Sequence, residues 1–299
     1  MRTRLSERPS VALPPSAHVG RVALQIADLD ASLTFYRGVL GLQPIEQHEH
    51  GGQRIARLGT ADGSVLVELH ERPGAKPVPR RGLLGLYHFA VLLPSRADLG
   101  RFVVHAANQG QRFSGADHLF SEALYLVDPD GLQVEVYRDV PREDWVYRDG
   151  ELVGDTLPLD LDGVVAAAGQ TSWAAAPDGT VIGHVHHFVG DLERAHHFYV
   201  ATLGLEPTVT SFPGALFVSA GGYHHHVGLN IWAAGAPIAD DDHARLLWWE
   251  LVLPTAADVE AVAQRLETAG VTLERDGDAV LATDPWRITV RLATNGRQV

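Results

Sequence analysis

The chain has 299 residues, 45% of them apolar and 20% charged, with a formal net charge of −13. That length holds two domains of ordinary size, and the acidity argues against a nucleic-acid backbone as partner, because binding one needs clustered Lys and Arg. There are no cysteines, which excludes disulfides, thiolate nucleophiles and Cys-ligated metals, whereas sixteen histidines are available, several of them clustered.

The first residues, 1–17, are basic and rich in Pro and Ser and lack an apolar h-region. They read as a disordered tail rather than a signal peptide. No apolar run is long enough to span a bilayer, so the expectation is a cytoplasmic protein with no membrane partner.

From there the chain repeats itself. Gly20-Arg21-Val22-Ala23-Leu24-Gln25-Ile26-Ala27-Asp28-Leu29 and Gly183-His184-Val185-His186-His187-Phe188-Val189-Gly190-Asp191-Leu192 share one pattern. Each leads into a helix carrying Phe-Tyr (Phe35-Tyr36, Phe198-Tyr199) and stops at Leu-Gly-Leu. The first copy has a strand over Arg21–Ile26, a helix over Asp30–Val39 and strands over Arg54–Leu58 and Ser64–His70. After the Pro/Gly-rich linker 73–79, a second copy opens at Leu86-Tyr87-His88-Phe89. Its helix is predicted over Ala97–Gln109, and its strands over Ala123–Leu126 and Leu132–Tyr137 meet at the turn Asp128-Pro129-Asp130-Gly131. Residues 139–180 lack periodicity and read as a surface connector. The third copy spans 181–232. The fourth opens at Leu246-Leu247-Trp248-Trp249, with a helix over Ala257–Ala269 and strands over Ala279–Ala282 and Arg287–Leu292 around Asp284-Pro285.

Each copy is a βαβββ unit whose open sheet cannot bury both faces, so the units must pair. The expectation is an α+β protein: four βαβββ modules forming two cupped-sheet domains. Modules one and two occupy 18–138, the connector 139–180, and modules three and four 181–299.

The repeat, together with Gly85-Leu86-Tyr87-His88-Phe89, Asp117-His118-Leu119-Phe120-Ser121-Glu122-Ala123-Leu124-Tyr125 and Gly222-Tyr223-His224-His225-His226-Val227-Gly228-Leu229-Asn230, resembles the vicinal oxygen chelate superfamily. That superfamily includes glyoxalase I, bleomycin-resistance proteins and extradiol dioxygenases. Within it the chain is most similar to four-module bacterial catechol-2,3-dioxygenase-like proteins. The resemblance implies a metal in the cup of two paired modules, held from an early first-strand position and a last-strand position. Across the four copies the first-strand positions hold Arg21, His88, His184 and Trp248. The last-strand positions hold Glu68, Glu135, Asn230 and Arg291.

A non-haem iron oxygenase site uses two imidazoles and one carboxylate. Pairing modules in chain order does not supply them, because modules one and two put Arg21 among the ligands and a guanidinium has no free lone pair. Pairing modules two and three does, with His88, Glu135 and His184 as metal ligands. The expected arrangement is therefore nested, with modules one and four forming a metal-free domain. The expected cofactor is Fe(II), with Mn(II) also compatible.

The resemblance further implies an active-site Tyr, matched by Tyr125 ten residues before Glu135. It also implies an acid/base His within His224-His225-His226. The apolar residues that follow favour His225, whereas strand alternation counted from Asn230 favours His226 and His224, and the sequence leaves both open. His118 and His186 are candidate substrate contacts, and Phe89, Phe188, Phe217 and Trp232 are candidate pocket walls. The activity so implied is insertion of both atoms of O2 into a small aromatic diol, next to the hydroxyls, in a protein expected to form a homo-oligomer. Two alternatives are a glyoxalase-type metal-dependent isomerase or lyase, using carboxylates such as Glu68 and Glu135, and a metal-free small-molecule binder.

Overall fold

The computed structural model describes residues 4–79 and 82–294. The first three residues of the expected tail and the last five of module four lie outside them. Module one comprises β1 (His18–Ile26), α1 (Leu29–Gly38), β2 (Gln43–His50), β3 (Gln53–Gly59) and β4 (Val65–Glu71). Module two comprises β5 (Gly85–Leu92), α2 (Arg96–Asn108), β6 (Ser114–Asp117), β7 (Ser121–Val127) and β8 (Gln133–Asp139). The connector forms the two-residue strands β9 (Tyr147–Arg148) and β10 (Glu151–Leu152) and the helix α3 (Leu161–Ala167). Module three has β11 (Val181–Phe188), α4 (Leu192–His196), which runs on as a π-helical turn over His197–Thr202, β12 (Glu206–Val209), β13 (Ala215–Ser219) and β14 (Val227–Asn230). Module four has β15 (Arg245–Leu253), α5 (Ala256–Thr268), β16 (Leu273–Asp276), β17 (Ala279–Thr283) and β18 (Thr289–Thr294).

The same chemistry starts the helix of each copy. Asp28, Ser95, Asp191 and Thr255 each accept a backbone N–H three residues on, which satisfies one of the orphan donors of a helix N-terminus. Thr255 and Asp258 complete a capping box.

Two eight-stranded sheets result. One runs β16-β17-β18-β15-β1-β4-β3-β2, so module four joins module one. The other runs β12-β13-β14-β11-β5-β8-β7-β6, so module three joins module two. In both, the two central first strands pair antiparallel (β1 with β15, β5 with β11) and each pairs parallel with the last strand of its own module. Both antiparallel seams carry a bulge, around Gly20 in one and Gly183 in the other. Both places are tight: a Cβ on Gly20 would lie 2.8 Å from Val252 Cγ2, and one on Gly183 would lie 1.8 Å from the Tyr137 hydroxyl, so a side chain at either would displace its neighbour. Buried residues from both sheets and their helices form one continuous apolar core, in which Tyr36 of α1 stacks on Phe89 of β5.

The segment before β1 departs from the expected disordered tail. Leu13 and Ala17 are buried, and the Leu13 N–H donates to the Gly204 carbonyl at 2.9 Å. These two apolar residues anchor it on module three despite its Pro-rich composition. The connector is also more than a surface wrap. Its Trp145 and Leu152 join Phe120 and Val209 in a second small core, and Glu151 accepts the N–H groups of Thr210 and Ser211. No helix among the described residues is long and apolar enough to cross a membrane.

Candidate metal centre

Strand geometry builds the centre from three neighbouring strands. His88 stands on β5, Glu135 on the parallel neighbour β8 and His184 on the antiparallel neighbour β11. His88 Nε2 lies 3.0 Å and His184 Nε2 3.2 Å from Glu135 Oε2. The three candidate ligand atoms fall within 4.8 Å of one another, and all three side chains are buried.

The electrostatics suit a cation. Burial pushes both imidazoles below their ordinary pKa, so each is neutral with a lone pair to offer. Burial by itself would raise the Glu135 carboxyl, but His184 and His88 beside it hold it well below the usual carboxylate range. His88 Nε2 is buried and makes no properly directed hydrogen bond, although it sits 3.0 Å from the carboxylate. An orphaned buried nitrogen aimed at a buried anion costs free energy unless something else occupies the space between them. The donor set of two imidazoles and one carboxylate on one face fits a non-haem Fe(II)-type ion.

Counting back from each helix cap to the cup gives the same offset in every copy: 28 to 21, 95 to 88, 191 to 184 and 255 to 248. The first-strand positions are therefore equivalent in space. The last-strand positions agree in three copies, with Glu68 opposite Ala23, Glu135 opposite Ala90 and Arg291 opposite Glu250. In the third copy the expected Asn230 is displaced by one alternation. The residue in register, opposite His186, is Gly228. A Cβ there would lie 2.7 Å from the His186 ring. The fourth corner of the cup therefore has no side chain, and the space goes to His186. Asn230 instead donates from Nδ2 to His186 Nε2 at 3.0 Å and accepts the Trp232 N–H, tying both residues down.

The cup opens into a cavity of about 690 Å³ that receives His88, Glu135, Tyr125, His118, His186 and His225. The His118 ring bridges the Asp155 carbonyl, 2.7 Å from Nδ1, and the Tyr125 hydroxyl, 2.8 Å from Nε2. Nδ1 donates to the carbonyl, and in the tautomer with its one proton there Nε2 accepts from the Tyr125 O–H.

His224–His226 precede β14, which begins at Val227, so strand alternation does not extend to them. His225 reaches the cavity, and its ring packs against that of His184 with centroids 4.1 Å apart. His226, expected on the cup side by alternation, turns away, and its Nδ1 accepts the Ala220 N–H at 3.1 Å. His224 is likewise behind the cavity wall, where its Nε2 meets Asp139 Oδ1 at 3.0 Å and its Nδ1 meets His225 Nδ1 at 2.7 Å. Of the pocket walls expected from sequence, Phe217 and Trp232 line the cavity, Phe188 packs on Tyr87 and Phe89 is in the core. Sequence reasoning missed Asp139 and Tyr87. Asp139 closes the strand carrying Glu135, and Tyr87 precedes His88, so each lay beside a residue already singled out. Tyr87 now packs between His88 and Trp232, with centroids at 4.7 and 5.8 Å.

Paired βαβββ modules with a two-histidine, one-carboxylate group in one cup define a vicinal oxygen chelate protein. Residues 18–136 and 181–290 match the model of the Glyoxalase/Bleomycin resistance protein/Dioxygenase superfamily, and the chain belongs to that family. It is 42% identical over 273 residues to the Catechol-2,3-dioxygenase of Bacillus subtilis (strain 168), covering 90% of this chain and 94% of that protein. Similar solved structures include a putative dioxygenase from Bacillus subtilis (TM-score 0.68, 15% identity, 95% of this chain and 86% of that one). Another is glyoxalase I from Zea mays (TM-score 0.56, 17% identity, 93% and 92%). At these identities the structures speak to fold alone.

Proposed function

We propose that this chain is an extradiol ring-cleaving dioxygenase that inserts both atoms of O2 into a catechol at one metal ion held by His88, Glu135 and His184. Fe(II) is the preferred ion and Mn(II) the second choice. The observation that carries the reading is the His88–Glu135–His184 group, with its orphaned Nε2 and its side-chain-free fourth corner at Gly228. The name of the Bacillus subtilis relative supports it.

When bound at His88, Glu135 and His184, the ion would supply a template for diol and O2 and the redox coupling between them. The rest of the work falls to this chain's side chains. In the neutral form of the row Asp139–His224–His225, Asp139 accepts the His224 Nε2 proton. His224 Nδ1 then accepts from His225 Nδ1, which leaves His225 Nε2 without a hydrogen-bonding partner among the described residues. That nitrogen is placed to take a proton from the diol and to hold it for return later in the reaction. Tyr125, committed as a donor to His118, offers its lone pairs to a substrate hydroxyl and orients the ring.

The test is to purify the protein anaerobically, add Fe(II) and a panel of catechols, then admit O2. A yellow ring-fission product with matched oxygen uptake is expected. Bound iron with no product across the panel would overturn the reading and favour a binding protein. The isomerase alternative loses its two-carboxylate site, because Glu68 lies on β4 in one sheet and Glu135 on β8 in the other.

A further inference from the structure

We infer that the cavity selects neutral catechols carrying a bulky apolar substituent or a second fused ring, and rejects carboxylated ones. The inference rests on the reading above that a catechol is the substrate, and specifies which catechol.

Three observations converge. The first is size. An apolar cavity of about 150 Å³ already holds a benzene ring, and this one measures about 690 Å³. A plain catechol would leave most of it to water, and only a larger ligand can use the remaining wall.

The second is the nature of that wall. Starting at Tyr87, which packs against His88, and running outward, Tyr87, Trp232, Phe212 and Phe217 form a continuous aromatic surface. Ring centroids are 5.8 Å apart for Tyr87 and Trp232, 6.2 Å for Phe212 and Trp232, and 5.9 Å for Phe212 and Phe217. Trp232 keeps 49% of its surface exposed, although its backbone N–H and its indole N–H are both tied down, to Asn230 and Pro213. An anchored, half-exposed indole at the edge of an aromatic cavity is apolar surface that a ligand can cover.

The third is charge. No Lys or Arg is among the described residues lining the cavity, and the charged groups that do line it, Glu135 and Asp155, are acidic. The nearby guanidinium groups are committed elsewhere: Arg138 to Glu122, and Arg142 to the Gly221 and Gly222 carbonyls. A carboxylate on the substrate's distal end, lying against this wall rather than at the metal, would be desolvated with no Lys or Arg to pair it.

The experiment measures binding under anaerobic conditions, with and without added Fe(II), by quenching of tryptophan fluorescence. The probes are catechol, 4-tert-butylcatechol, naphthalene-2,3-diol and 3,4-dihydroxyphenylacetate. Ring cleavage of the same four is followed separately after O2 is admitted. The two bulky neutral diols are expected to bind at least about tenfold more tightly than catechol, since each buried methylene adds about 0.8 kcal/mol, and the carboxylated probe at least tenfold more weakly. In Trp232→Ala the preference for bulky diols over catechol should shrink severalfold. Phe217→Arg should move the preference toward the carboxylated probe. Cleavage that favours the carboxylated catechol, or that is indifferent to substituent size, would overturn the inference and leave the dioxygenase reading standing. Tight, size-dependent binding without cleavage of any diol would overturn the dioxygenase reading and uphold the cavity's selectivity.

Discussion

The two sheets have one topology and opposite chemistry at the same address. In the sheet of modules two and three, the cup positions hold His88, Glu135 and His184, with Gly228 at the fourth corner. In the sheet of modules one and four they hold Arg21, Glu68, Trp248 and Arg291. There, Arg21 reaches Glu68 at 3.7 Å and Glu250 at 3.4 Å, and Arg291 bonds Glu250 at 2.6 Å. Both guanidinium groups lie over the Trp248 ring, 5.4 and 5.6 Å from its centroid. Arg57 and His70 complete the shell around Glu68, and their hydrogen bonds outweigh its burial to hold its pKa at about 2. This outer cup carries its own cations, and an aromatic ring fills its space. The inner cup has a carboxylate, neutral imidazoles and, at Gly228, a corner given over to the His186 ring, so it carries no Lys or Arg of its own to balance Glu135. The difference teaches that the scaffold sets four positions at each cup, and on the proposed reading it is the residue types at those positions, with glycine at one inner corner, that make room for a metal.

The largest expected effect breaks that contrast directly. His184→Ala removes one of three proposed ligands, so metal content and ring-cleavage activity should fall beyond the roughly 10–100-fold cost of losing an outer partner. Arg21→Met, at the equivalent position of the other sheet, should leave the metal content of the folded protein unchanged. Metal analysis alongside oxygen uptake reads both. If activity survived in His184→Ala and vanished in Arg21→Met, the site would have been placed in the wrong sheet.

Next in size is a change that spares the ligands. His225→Gln should keep bound metal at wild-type level while lowering kcat by roughly 10²–10⁴-fold, the range for a proton-transfer group. Asp139→Asn, which disturbs His225 only through His224, should give a smaller loss of the same kind. A His225→Gln enzyme with normal kcat would remove the proton-transfer role.

The outer cup answers to stability instead. Removing one partner from a buried ion-pair network leaves an uncompensated charge, at a cost of about 3–5 kcal/mol. Arg21→Met strands Glu250 and Glu68 only in part, because Arg291 and Arg57 remain, so the lower end of that range is expected in denaturant unfolding. A loss under about 1 kcal/mol would mean the network contributes no more than a surface pair.

How much of this was legible follows from which signals are local. The strand-to-helix repeat is local, so it placed Arg21, His88, His184 and Trp248 at equivalent first-strand positions from sequence. Glu135 was legible because the Asp128–Gly131 turn fixes the start of its strand, and Asp128 Oδ1 accepts two backbone N–H groups to hold that turn. Asn230 was misplaced because β14 is only four residues long and follows an irregular loop, so alternation had no long strand to count along. The same loop explains why His226 was set beside His225. Strand β2 went unseen because it is an almost wholly exposed, polar edge strand with no alternation to detect. The connector lines the cavity through residues 154–156, beside the small core of Trp145 and Leu152, and this tertiary packing has no periodicity to read.

The smallest expected effect tests what one histidine costs when it faces the core rather than the cup. His187 alternates away from His184 and His186, is fully buried between Tyr199 and Trp249, and has both ring nitrogens without hydrogen-bond partners among the described residues. Burial, with a smaller contribution from His88, lowers its pKa to about 3. A base whose folded pKa is depressed withholds stability as pH falls. The native state is unpenalised above the unfolded value of 6.5 and loses about 1.4 kcal/mol per pH unit from there down toward 3. His187→Leu, close in volume, removes that term. It also replaces two buried, unsatisfied nitrogens with apolar surface, a gain of about 1 kcal/mol at neutral pH. The advantage of the variant over wild type should therefore widen by about 2 kcal/mol between pH 7 and pH 5 in denaturant unfolding. Because the other buried histidines are common to both proteins, they cancel in the difference. A gap that stays constant over that range would show that His187 is not neutral by burial, and that the core around it supplies a partner for its proton.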